Sequence, residues 1–323
     1  MTQQVNEIPT RGFLSPQLAQ RTQRHSLTLK SSTAASGTEE SGTEVAYWEY
    51  SPVLTEPTSD GSAPKTILVI HGFRGDHHGL ERVVDALPEY RFLMPDLPGF
   101  GESAAFTDRT HNIAGYVSFV EEFVSALDLG PDTALVGHSF GSIVASHFTA
   151  KNPQALRPLI LINPIAAPAL EGPKGIMTRL AVGYYQAATR LPEAAGQAIL
   201  RNKAIVRVMS VAMAKTHDSG LRRFIHGQHD AYFSAFANRT SLLESFKASV
   251  STTVRQVAPQ LKLPVLLIAG EKDEIATLDS QKVLLADLPN AELQVIPGVG
   301  HLIHYETPEA AATFIRDFLE ETK

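Results

Sequence analysis

The chain contains no cysteine. That absence removes disulfides, thiol nucleophiles and thiolate metal sites together, and it is compatible with the cytoplasm. A basic block is also missing: the net charge is −6, which speaks against nucleic acid as a partner. No stretch approaches the roughly 20 apolar residues needed to span a bilayer. The N-terminal segment "MTQQVNEIPTRGFLSPQLAQRTQRHS" offers no apolar run that could serve as a signal-peptide core. A soluble, cytoplasmic protein with no membrane partner is therefore expected. What remains is ordinary for a globular protein, with 43% hydrophobic and 19% charged residues. A length of 323 residues suits one large α/β domain or two smaller ones.

Residues 1–23 are polar and weakly patterned, and read as a mobile arm or a lid-packing extension. "HSLTLKS" and "TEVAYWEYSPV" look like two strands, joined by a Ser/Thr/Gly/Glu-rich loop from Ser31 to Gly42. A second turn-rich linker, "TEPTSDGSAPK", leads into the buried-strand pattern "TILVIHG". Strands and helices then alternate up to "RPLILINP". After Pro164 the alternation gives way to about 90 predominantly helical residues, and it resumes at "PVLLIAGEKD". Such βα alternation predicts a mostly parallel central sheet flanked by helices. The expected division is a core in two parts, 24–165 and 259–323, with a helical cap, 166–258, inserted between them.

"TALVGHSFGSIVASHFTA" places Ser139 at the seam between an apolar strand and an amphipathic helix. G-x-S-x-G in that context is the pattern of a nucleophile elbow. Gly137 and Gly141 would let strand and helix approach closely, and the turn would lift the serine above the sheet beside the positive end of the helix. A serine hydroxyl needs a base to take its proton and a third group to orient that base. Asp273 in "LLIAGEKDEI" and His301 in "QVIPGVGHLIHYETPEA" each fall just past a later strand. The order Ser139, Asp273, His301 is the one expected of a triad assembled on this sheet.

Five spaced motifs together resemble the α/β-hydrolase fold superfamily in its cap-bearing, serine hydrolase branch, over about residues 40 to 320. "HGFRG" is similar to the oxyanion loop after the third strand, and "DLPGFGES" to the D-x-x-G-x-G-x-S segment. "GHSFGS" matches the elbow, "GEKD" the acid turn and "GHLIHYETP" the terminal G-H-x-x-x-x-E-x-P. The resemblance implies Ser139 as nucleophile, His301 as general base and then acid, and Asp273 as the orienting carboxylate. It also implies an oxyanion hole from the backbone N–H groups of Phe73 and Phe140, with Phe140 cast as a donor rather than a core aromatic. The implied reaction is hydrolysis of a carboxylic ester or similar acyl compound through an acyl-enzyme. No metal or organic cofactor is implied. An apolar, alanine-rich cap suggests a small to medium hydrophobic acyl substrate. Cap helices that meet across a two-fold axis in such proteins leave a homodimer open.

Two other readings stay open. One is C–C bond hydrolysis of the meta-cleavage-product type, although the elbow reads S-F-G-S where S-M-G-G is frequent. The other is a slow-turnover ligand-binding protein that keeps the triad. Among twelve histidines, His71 is expected to shape the oxyanion loop, and His138 to point away from the substrate. His304 is a competing base and Asp279 a fallback acid. Asp76-His77-His78 reads as a solvated loop rather than a metal site. His226 and His229, at helical spacing before Asp230, read as pocket-lining or surface residues, and Asp96 as a turn-fixing residue. Tyr184, Tyr185, Tyr232, Phe233 and Phe236 read equally as cap core or as pocket lining.

Overall fold

The computed structural model describes residues 13–29, 42–53, 64–168 and 175–322. The loop expected from Ser31 lies almost wholly outside the described residues, as do most of the linker from Thr55 and the first half of the arm. Eight strands form one sheet: β1 (Thr22–Leu29), β2 (Thr43–Tyr50), β3 (Thr66–Ile70), β4 (Arg91–Pro95), β5 (Ala134–His138), β6 (Leu159–Ile162), β7 (Val265–Gly270) and β8 (Ala291–Ile296). Their order across the sheet is β1-β2-β4-β3-β5-β6-β7-β8. β1 pairs antiparallel with β2, and β2 with β4; the six strands from β4 to β8 are parallel.

The central strands are continuous apolar runs, "LILI" in β6 and "VLLIAG" in β7, and every residue of both is buried. Such runs suit strands covered on both faces. Alternation along each strand still assigns the faces. Leu68, Ile70, Leu135, Leu159, Leu161, Val265 and Leu267 join one core cluster. Their neighbours Ile67, Val69, Val136, Ile160, Ile162, Leu266 and Ile268 join the other. The first cluster is covered by α3 (Ile113–Ala126), α4 (Phe140–Lys151) and α10 (Leu278–Asp287). The second is covered by α1 (Pro16–Arg21), α2 (Glu81–Asp85) and α12 (Pro308–Glu321). A short α11 (Ile303–Glu306) precedes α12.

Among the described residues, five α-helices intervene between β6 and β7: α5 (Gly175–Arg190), α6 (Glu193–Leu200), α7 (Lys203–Met213), α8 (Ser219–Tyr232) and α9 (Arg239–Ser251). Asn202, Asp218 and Asn238 cap the last three through side-chain oxygens that accept first-turn N–H groups. Part of the N-terminal arm is packed. Ser15 donates from its backbone N–H and from Oγ to Asp85, and Phe13 stacks on Phe224 of α8 at 4.8 Å. Among the described residues, no helix is long and apolar enough to cross a membrane.

Leu161 is fully buried at the centre of the sheet. Leu161→Ala is expected to cost about 2–5 kcal/mol of stability, read as a lowered denaturant midpoint. Val283→Ala, on an exposed face of α10, should stay within about 0.5 kcal/mol of the parent.

Candidate active site

The segments that follow β5, β7 and β8 meet above the C-terminal edge of the parallel strands. β5 runs into Ser139, whose backbone adopts φ 51° and ψ −115°, a left-handed conformation that side chains rarely take. The turn is tight because the residues two positions to either side, Gly137 and Gly141, carry no side chain. A Cβ on Gly137 would stand 2.6 Å from the Gly141 carbonyl oxygen, and one on Gly141 would overlap the carbonyl of Ile70. Ser139 N–H donates to Ile162 O at 3.0 Å and Ser139 O accepts from Ser142 N at 2.9 Å, which fixes the turn on both sides.

Asp273 follows β7 and is buried. Its Oδ1 accepts the backbone N–H groups of Ile275 at 2.7 Å and Ala276 at 2.9 Å, which leaves Oδ2 to accept from His301 Nδ1 at 2.7 Å. With Nδ1 as donor, His301 Nε2 is the acceptor, and Ser139 Oγ stands 2.8 Å from it. Ser139, His301 and Asp273 are thus brought together in one hydrogen-bonded chain. His304 and Asp279, the competing base and fallback acid, are not part of it. Asn163, which sequence reasoning missed, anchors the assembly. It sits at φ 46° just past β6, donates from Nδ2 to His301 O at 2.9 Å and accepts Gly270 N–H at 3.0 Å.

The loop after β3 carries Phe73. His71 donates from Nδ1 to Gly72 O at 2.8 Å and accepts Leu97 N–H on Nε2 at 2.8 Å, so it shapes this loop as expected. Phe140 opens α4, where first-turn N–H groups have no partner within the helix. Its ring is nevertheless a core aromatic, packed edge-on against Tyr116 at 5.4 Å. The expected contrast between donor and core residue does not hold, because the ring packs in the core independently of the backbone N–H.

Arg74 was also missed. It is buried at φ 61°, and its guanidinium donates to Phe233 O and Leu200 O, both at 2.9 Å, and to Tyr185 Oη at 3.3 Å. It therefore ties the Phe73 loop to the ends of α8 and α6.

Asp76 and His77 are not solvated, as the sequence suggested, but buried. The three residues' ligand-type atoms lie within 4.8 Å of one another, yet each imidazole already meets a carboxylate. His77 Nδ1 meets Asp96 Oδ1 at 2.9 Å, and His78 Nδ1 meets Asp76 Oδ1 at 3.1 Å. The rings stack on Trp48 and Tyr232. Asp96 accepts the backbone N–H groups of His77 and Glu102, which is the turn-fixing role expected of it. Burial, with the Asp76 charge nearby, pushes the Asp96 carboxyl up to about 7.

A cavity of about 240 Å³ opens beside Ser139 and is walled by the loop after β3, α7, α8, α9 and α11. His138 is buried beside the cavity, with its ring 4.2 Å from His304. Of the five aromatics left undecided, Tyr232 and Phe233 line the cavity, while Tyr185 and Phe236 are core. Tyr184 donates to Ile199 O. His226 and His229 share Ser210 Oγ at 2.6 and 2.7 Å, and Asp230 pairs with Arg207.

A family model described as alpha/beta hydrolase fold matches residues 65–308. Lipase 3 of Moraxella sp. is 23% identical over 304 residues, 92% of this chain and 86% of that protein. A monoacylglycerol lipase of Xenopus laevis is 24% identical over 288 residues, 85% of this chain and 80% of that protein. Among solved structures, a thermophilic esterase from Thermogutta terrifontis superposes with TM-score 0.70 at 23% identity, covering 93% of this chain and 99% of the other.

A carboxyl near 7 in the folded protein, against about 3.9 unfolded, means that the folded state holds the Asp96 proton more tightly. Its contribution is fully present below the unfolded value and is lost as the pH rises through about 7. Unfolding titrations at pH 5 and pH 8 should therefore show a loss on raising the pH that Asp96→Asn lacks. Equal slopes in the two proteins would contradict this.

Proposed function

Because the chain belongs to the α/β-hydrolase fold family, we propose that it is a serine hydrolase of carboxylic esters that works through an acyl-enzyme. The observation that carries this reading is the chain Ser139–His301–Asp273, at 2.8 and 2.7 Å, opening on a cavity. The lipase and esterase names of its relatives point the same way.

His301 takes the Ser139 proton on Nε2 as Oγ attacks the ester carbonyl. Asp273 holds the ring with Nε2 free to accept, and stabilises the imidazolium that forms. The carbonyl oxygen gathers negative charge in the tetrahedral intermediate. Two backbone N–H groups, of Phe140 at the start of α4 and of Phe73, are assigned to receive it. Such donors are worth roughly 3–4 kcal/mol each in related systems. His301 then returns its proton to the alcohol oxygen as that bond breaks, and next activates a water that releases the acid. Residues 166–258 act as the cap that closes the cavity over this chemistry and selects the acyl group. Met209, Met213, Phe246 and Val250 come from it and favour a small to medium apolar chain.

A fluorophosphonate should label Ser139 stoichiometrically, and Ser139→Ala should lower kcat on p-nitrophenyl butanoate by about 10³-fold or more. Asp273→Asn, which removes the carboxylate that sets the His301 tautomer, should cost about 10⁴-fold. An unchanged rate in Ser139→Ala would sink the mechanism. Labelling without steady turnover on any ester would favour the slow-turnover binding protein instead.

A further inference from the structure

The loop after β3 turns sharply between Gly72 and Gly75, where Gly75 N–H donates to Gly72 O at 3.1 Å. The two residues inside this β-turn are Phe73 and Arg74. Arg74, in the third position, has φ 61°, whereas Phe73 is not among the residues with positive φ. A turn of that shape gives its third position to glycine or asparagine, because other side chains are strained there. An arginine at that position needs something to hold it. Every hydrogen bond that its guanidinium makes among the described residues goes to the inserted helices. Phe233 O after α8 and Leu200 O at the end of α6 accept at 2.9 Å, and Tyr185 Oη on α5 accepts at 3.3 Å. The Phe236 ring lies 5.7 Å from the same guanidinium.

The turn bond also fixes a neighbouring donor. Gly72 O accepts from both Gly75 N–H and His71 Nδ1, at 3.1 and 2.8 Å. The Gly72–Phe73 peptide is planar and trans, so with its carbonyl pinned on one side its N–H points to the other. That peptide stands next to the nucleophile, since a Cβ on Gly72 would be 3.4 Å from Ser139 Cβ. The Phe73 N–H is the group assigned above to the oxyanion.

We propose that Arg74 is a positioning residue for the oxyanion donor: its guanidinium, seated on the inserted helices, holds the turn that aims Phe73 N–H at the reacting carbonyl. This rests on the serine hydrolase reading above. Seating of α5, α6 and α8 is then a condition for stabilising charge in the transition state, and not only for enclosing the cavity. A mere tether between the insertion and the sheet would behave differently. Loss of contacts alone makes alanine and glycine equally poor replacements for Arg74, with glycine the worse through its greater chain entropy. Loss of an aimed donor makes glycine the better one, because it takes the left-handed backbone freely.

The test measures kcat and KM on p-nitrophenyl butanoate in Arg74→Ala and Arg74→Gly. Arg74→Ala should lower kcat about 10²-fold, as removal of one oxyanion donor does. Arg74→Gly should recover about tenfold of that loss, the equivalent of one left-handed residue without strain. The KM values of the two variants should agree within about threefold, since the donor acts on the transition state and not on bound substrate. If Arg74→Ala melts early, Arg74→Asn and Arg74→Gln ask the same question. Asparagine accepts positive φ more readily than glutamine, so Arg74→Asn should be the faster of that pair. A kcat in Arg74→Ala within about threefold of the parent would mean that the turn holds without the guanidinium, and would overturn the proposal. So would glycine no faster than alanine, or asparagine no faster than glutamine, either of which leaves Arg74 as a tether alone. Hydrolysis that persists in Ser139→Ala would instead break the underlying mechanism, whereas Ser139-dependent hydrolysis indifferent to the Arg74 substitutions removes only the role of Arg74.

Discussion

The close approach of α4 to the ends of β3 and β5 is the contact on which the rest of the site depends. Gly137 and Gly141 permit it: a Cβ at either would run into backbone rather than into a side chain that could yield. The cost is a left-handed Ser139, of order 1–3 kcal/mol. That strain is not isolated. Arg74, Ser139 and Asn163, all with positive φ, lie just beyond the C-terminal ends of β3, β5 and β6, which are neighbours in the sheet. Each is over-determined by its hydrogen bonds: Arg74 through its guanidinium, Ser139 through Ile162 O and Ser142 N, Asn163 through Gly270 and His301. A rigid, fully buried sheet edge is what allows three successive strained turns to hold side chains in register.

Arg74 carries that rigidity outward. Leu200 ends α6 and Phe233 is the C-terminal cap of α8, so the buried guanidinium meets the negative ends of two helices. Arg74 is also the residue after Phe73, whose N–H is assigned to the oxyanion. One side chain therefore links the ends of α6 and α8 to the loop that carries that donor. Movement of α6 or α8 away from the core would strip a buried cation of its acceptors, at a cost of about 1–3 kcal/mol for each hydrogen bond to a charged group.

Much of this was legible in the sequence because it rests on local signals. Continuous apolar runs mark β5, β6 and β7, the glycines flanking Ser139 mark the elbow, and Asp273 and His301 follow strand patterns at their C-terminal ends. The order of the strands and the packing of the insertion were not legible, since helical periodicity does not say which face meets which. Arg74 and Asn163 escaped for the same reason. An arginine in a loop reads as solvated, and an asparagine before a proline reads as a turn residue; their roles exist only through partners more than 100 residues away. Asp76-His77 misled because a run of polar residues is ordinarily exposed, whereas here the Asp96 carboxylate and the Trp48 ring supply the partners that burial requires. A D-x-x-G segment that buries its aspartate was the one available sign that a polar neighbour could be buried with it.

The unusual density of histidine beside His301 has an electrostatic consequence in the proposed mechanism. His301 becomes a cation when it accepts the Ser139 proton, and the His138 ring lies 5.6 Å from it. Were His138 charged as well, two positive charges at that separation would repel by about 3 kcal/mol at an effective dielectric constant near 20. That would set back proton transfer by about two orders of magnitude. Burial avoids this by pushing His138 down to about 3 and His304 well below its ordinary value, so both are neutral wherever the base operates. The charge that the His301 ring meets directly is then the Asp273 carboxylate at 2.7 Å, which favours the imidazolium. The same desolvation that would make these histidines poor bases in their own right thus protects the one histidine placed to act.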